Sequence, residues 1–104
     1  MDQTSHGTII APDGSARHLR AGDYQIEVRG RWRSPHSGGD YPAAWRVRVP
    51  AAQLDVLVQP TIPDQELHSN NVGGVTYWEG AVIVTAPPNA PAPERVTGRG
   101  YVEL

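Results

Sequence analysis

Apolar and polar residues alternate in short runs along this chain, and glycine and proline cut the runs apart. Thr8-Ile9-Ile10 is a brief apolar run closed by Pro12-Asp13-Gly14. In that triplet Pro presets φ, Asp bonds nearby backbone and Gly accepts a positive φ. The chain resumes at Arg17-His18-Leu19, so residues 8–19 are expected to form a hairpin. After a turn at Ala21-Gly22-Asp23, Tyr24, Ile26 and Val28 alternate with Gln25, Glu27 and Arg29, the period of a half-buried strand that carries on towards Trp32. Residues 34–42 are nearly all turn formers and are predicted to be a loop.

The second half repeats the pattern. Trp45, Val47 and Val49 alternate with Arg46 and Arg48 until Pro50, and Leu54, Val56 and Val58 alternate with Asp55 and Gln59. The short link between these runs predicts antiparallel neighbours. Residues 60–71 read as irregular and polar, with Pro63-Asp64 and Asn70-Asn71 as turn signals. Residues 75–86 are the longest strand candidate, residues 87–93 hold four prolines and must loop, and residues 96–104 form a last strand weakened by Gly98 and Gly100. No stretch keeps a helical period. About seven short strands at this spacing predict an all-β sandwich or barrel.

Composition narrows the picture. At 104 residues the chain is expected to be a single domain, and a small one has little core to spare. Cysteine is absent, so neither disulfides nor thiolate metal sites are available. Phenylalanine is absent too, which leaves the aromatic packing to three Trp and four Tyr. A net charge of −2 provides no electrostatic footprint for nucleic acid or an anionic membrane. No apolar run approaches the roughly 20 residues of a membrane helix. The start, Met1-Asp2-Gln3-Thr4, lacks the basic and apolar regions of a secretory signal, so the default expectation is cytoplasmic. His6, His18, His36 and His68 are scattered without ligand spacing, so no metal or other cofactor is expected.

Three stretches together resemble a known family. They are Trp32-Arg33-Ser34-Pro35 with residues 41–50, then Asp64-Gln65-Glu66-Leu67, and then Tyr77-Trp78-Glu79-Gly80-Ala81-Val82 with Gly98-Arg99-Gly100-Tyr101-Val102-Glu103-Leu104. In order and spacing they are similar to the C-terminal half of AttH-like proteins, a family related to carotenoid 1,2-hydratase (hydroxyneurosporene synthase). The resemblance implies that residues 1–104 are one lipocalin-like antiparallel β-barrel domain, truncated and incomplete. It implies a missing N-terminal barrel as partner and a large apolar ligand of isoprenoid, carotenoid or polyketide type.

Within residues 75–86, the period of two puts Val75, Tyr77, Glu79, Ala81 and Ile83 on one face and Thr76, Trp78, Gly80, Val82 and Val84 on the other. The second face is the more apolar, so the simplest expectation packs it in the core and leaves Glu79 wet. The alternative turns Tyr77 and Glu79 into the barrel lumen. There Glu79 would be the acid that protonates an alkene, since burial in an apolar cavity keeps a carboxyl protonated. The carotenoid hydratases suggest the same tyrosine–carboxylate spacing, with aspartate where this chain has Glu79. Trp45, Trp78 and Trp32 are the candidate ligand-lining residues, with core packing as the competing role. Asp64 and Glu66 are expected to be solvated or to make a structural salt bridge. The arginines at 29, 31, 33, 46 and 48 are expected to be a wet strand face, and Ser34, His36 and Ser37 to be loop neighbours without a catalytic triad.

Three functions follow in order of preference: a binding module for an apolar ligand, a structural remnant inactive alone, and a hydratase or cyclase. Unpaired sheet edges beside apolar residues make the isolated chain prone to self-association through an edge or to pairing with its missing half.

Overall fold

The computed structural model describes residues 4–69, 74–87 and 89–104. Among them run eight strands: β1 (His6–Ile10), β2 (Ala16–Arg20), β3 (Gln25–Arg33), β4 (Asp40–Val49), β5 (Leu54–Pro60), β6 (Glu66–Ser69), β7 (Val75–Thr85) and β8 (Val96–Glu103). Every pairing is antiparallel, and no α-helix occurs among the described residues. The readings of Met1 to Gln3, of the Asn70-Asn71 turn and of Pro88 fall outside the described residues.

β1 and β2 form the expected hairpin. Its turn is closed by the Gly14 N–H on the Ala11 carbonyl and the Ala11 N–H on the Ser15 carbonyl, both at 2.8 Å. Asp13 accepts from the Ser15 N–H at 2.9 Å and from its hydroxyl at 2.7 Å, and Gly14 takes φ 88°. The tight link from β4 to β5 is a 3-10 turn begun by Pro50 and ended by Gln53 in the left-handed region.

The main sheet has the order β3-β4-β5-β7-β8, and β6 continues beyond β5 along the same edge of β7. Two expectations are corrected here. The predicted loop over 34–42 ends at Gly39, because β4 begins at Asp40 and carries Pro42 inside it. Proline is tolerated there because the partner strand β3 shifts register on either side of Gly30, which relaxes the ladder at that point. The polar segment 60–71 contains β6, which makes eight strands, not seven. Four residues are too few to show a period, and it is the free edge of β7 that draws them into the sheet.

Cross-strand partners share a face. One face carries Ile26, Val28, Trp45, Val47, Val58, Trp78, Val82 and Val102. The other carries Glu27, Arg46, Arg48 and Asp55 towards β3, then Leu57, Gln59, Ile83, Tyr77, Glu79 and Tyr101 towards β8. Trp45, Trp78 and Val82 form the buried centre of the apolar face, and Leu19 of the hairpin is buried near Val49. The arginine face is partly screened by ion pairs. Arg46 grips Asp55 with two bonds at 2.7 and 2.9 Å, and Arg48 lies 3.6 Å from Glu27.

The sheet curves but does not close into a barrel. Its radius of gyration is 15.4 Å, against about 13 Å for a compact chain of this size. Ile26 and Val28 remain about half exposed on the apolar face.

Candidate functional site

β7 positions most of the residues singled out in the sequence. Trp78 is 1% exposed, and its indole N–H donates to the Pro63 carbonyl at 2.8 Å. Segment 61–65 therefore passes the N–H edge of the indole. In this stretch β5 has left β7 and β6 has not yet joined it. The Gln65 side chain fills the gap, accepting from the Ala81 N–H at 2.9 Å and donating to the Ala81 carbonyl at 3.0 Å. A Cβ at position 80 would be driven into that amide, so any larger residue there would displace the Gln65 side chain from Ala81.

The three tryptophans gather on the apolar face. Trp45 and Trp78 meet edge-on with ring centroids 6.5 Å apart, and Trp32 stacks on Tyr41 at 6.2 Å. Trp45 and Trp78 are buried, whereas Trp32 is half-buried. Beside this cluster Ile26, Trp45, Val47, Val58, Val102 and Leu104 line an open groove of about 290 Å³. None of these six side chains except the indole of Trp45 has a hydrogen-bonding group. The wall of the groove is therefore almost wholly apolar.

Tyr77 and Glu79 project from the opposite face, and both are half-buried. The Tyr77 hydroxyl donates to Glu79 Oε1 at 3.2 Å. That bond is the main cause of a raised Tyr77 pKa, so the phenol keeps its proton and donates. Tyr101, across from Ala81 on β8, also has its pKa raised, by desolvation first and then by the charge of Glu79. Glu103 stands directly opposite Glu79. A second groove of about 360 Å³, lined by Leu57, Gln59, Ile83, Thr85, Pro93 and Glu94, lies on this face.

Sequence reasoning missed the hydroxyl cluster around Glu66, whose carboxylate accepts three side-chain hydrogen bonds. β6 places Glu66 across from Trp78 on the apolar face. Its carboxylate accepts from the hydroxyls of Ser34 at 2.7 Å, Ser37 at 2.6 Å and Tyr41 at 2.6 Å. Ser34 is buried, and its oxygen also accepts from the N–H groups of His36 and Ser37, both at 3.1 Å. His36 meets Asp64 at 2.7 Å. The Ser37 and Tyr41 hydroxyls are the main causes that hold the Glu66 carboxyl below its ordinary range. It is therefore an anion at neutral pH, with most of its acceptor capacity already used. Such a group suits a clasp between segments 34–41 and 64–66 and is a poor proton donor. The only sequence signal was the polarity of two distant turn-rich segments, which says nothing of their meeting.

Among the described residues no helix is long and apolar enough to cross a membrane. The family model for AttH-like proteins matches residues 1–104. A solved structure of a Nitrosomonas europaea protein described as an AttH superposes with a TM-score of 0.73 at 30% sequence identity. That match covers 92% of this chain and 28% of the other, so the chain spans only about a quarter of that relative's length. No curated protein matches the chain.

Proposed function

The chain belongs to the AttH-like family, and from that premise we propose that its sheet is one wall of a lipocalin-like site for a large apolar ligand of isoprenoid, carotenoid or polyketide type. Residues 1–104 then form one lipocalin-like domain, the truncated C-terminal half of a longer architecture whose N-terminal barrel is its partner. The supporting observation is the groove over Trp45, Val58 and Val102, which carries almost no polar group. Ligand sites of this kind are apolar concavities with few placed polar groups. Trp32, Trp45 and Trp78 are the aromatic part of the wall.

The test is binding of an acyclic carotenoid and of a farnesyl-chain lipid, followed by tryptophan quenching and by native mass spectrometry. Binding that is lost in Val58→Asp, a variant that puts a charge in the groove, supports the reading. Failure of both ligands to bind the folded chain overturns it and leaves a structural remnant.

A second reading rests on the Tyr77–Glu79 hydrogen bond. In a hydratase, Glu79 would be the group that gives a proton to one alkene carbon. Water adds to the cation at the other carbon, and the water's spare proton returns to the carboxylate. Tyr77 positions the carboxyl, and the substrate lies on the face of Ile83 and Tyr101. Unchanged turnover in Glu79→Gln of the intact parent protein would remove this role, and with it the hydratase or cyclase reading.

A further inference from the structure

β8 is an edge strand. Among the described residues it pairs with β7 on one side and with nothing on the other. The Leu104 N–H donates to the Trp78 carbonyl at 2.9 Å. In an antiparallel ladder the backbone bonds of alternate residues point to opposite sides. Even-numbered residues of this stretch therefore bond β7, while Arg99, Tyr101 and Glu103 turn their N–H and C=O groups outward. From Gly98 to Glu103 the edge has no proline, no lysine and no shift of register, and its only charges are one of each sign, Arg99 and Glu103.

The side chains on this edge are unbalanced in a way that a second copy corrects. Glu103 faces Glu79 directly, and like charges across a ladder repel. Neither glutamate has an ion pair among the described residues. Arg99 is exposed and has none either.

We propose that β8 pairs antiparallel with β8 of a second copy, about a two-fold axis at Tyr101. In that register each Arg99 lies opposite the other copy's Glu103, supplying the cation that the Glu79–Glu103 pair lacks. The two Tyr101 rings pair across the axis. On the apolar face Gly98 meets Leu104 and Gly100 meets Val102, so each bare position receives a bulky one. The outward backbone groups of Arg99, Tyr101 and Glu103 all find partners. An isologous contact of this kind closes at a dimer and does not propagate into fibres. It also carries the apolar face across the axis, because Val102 and Leu104 line the groove next to the joint.

Sedimentation of the 104-residue chain over a concentration series is the first test, with a species of twice 11.3 kDa expected. Arg99→Glu and Glu103→Arg each reverse the charge in both symmetric pairs. Each is expected to weaken the dimer about tenfold or more, and the double swap to restore it. Because the chain has no cysteine, Tyr101→Cys is a clean second probe. Oxidation should give a disulfide dimer from Tyr101→Cys and none from Gln25→Cys on the β3 edge. A monomer at all concentrations overturns the proposal. So does a dimer indifferent to both single reversals, or cross-linking through position 25 but not 101.

Discussion

At the scale of single residues, Gly80 and Glu66 decide most. Gly80 looks like a weak point in the longest strand, yet it is the position over which Gln65 stands in for missing strand backbone. Gly80→Ala is expected to cost about 1–3 kcal/mol by overpacking, with a lowered midpoint in urea. Adding Gln65→Ala should recover only part of that loss, because it frees the space but leaves the Ala81 N–H without its acceptor. Glu66 makes a pH prediction. Its folded pKa is depressed, so its stabilisation is fully present above the unfolded value of about 4.3 and is lost as pH falls through the folded value. Melting temperatures of the native chain and of Glu66→Gln should differ most at neutral pH and draw together as pH falls below the unfolded value and through the lower folded one. A constant difference across that range would contradict the clasp.

At the scale of elements, β7 organises the molecule. β5 and β6 share one of its edges and β8 takes the other. β6 is the least supported of these, with four residues, none buried and two exposed. It is held by its ladder to β7 and by the hydroxyls that segment 34–41 presents to Glu66. Amides of β6 and of segment 34–39 are therefore expected to exchange hydrogen together. Glu66→Gln should speed both several-fold while leaving the β4–β5 ladder unchanged. Exchange that changes in β6 alone would mean that the two segments are not coupled. Trp78 is the element's anchor. Trp78→Ala removes a buried ring and the bond to Pro63, a loss of about 3–5 kcal/mol that a small domain with roughly 5–15 kcal/mol in hand barely survives.

At the scale of the whole molecule, the open sheet leaves an apolar face with few buried residues. A hydrophobic dye such as ANS should bind the folded chain, and an apolar ligand should displace it while raising the melting temperature. Dye binding that appears only on unfolding would place the apolar face under cover that the open sheet does not provide.

The all-β class, the hairpin at Pro12-Asp13-Gly14 and the two faces of β7 are legible in the residues alone. Each rests on local rules: a period of two, and turn residues whose backbone preferences need no distant partner. The residues also carry the motifs that mark the AttH-like family. The rest depends on contacts between segments far apart in the chain. β6 exists because β7 offers an edge, Pro42 sits in a strand because β3 bulges beside it, and Gly80 is covered by Gln65 from fifteen residues away. Glu66 gathers Ser34, Ser37 and Tyr41 only once β4 and β6 are in place. These are long-range contacts between side chains of unremarkable type, and no local pattern along the chain records them.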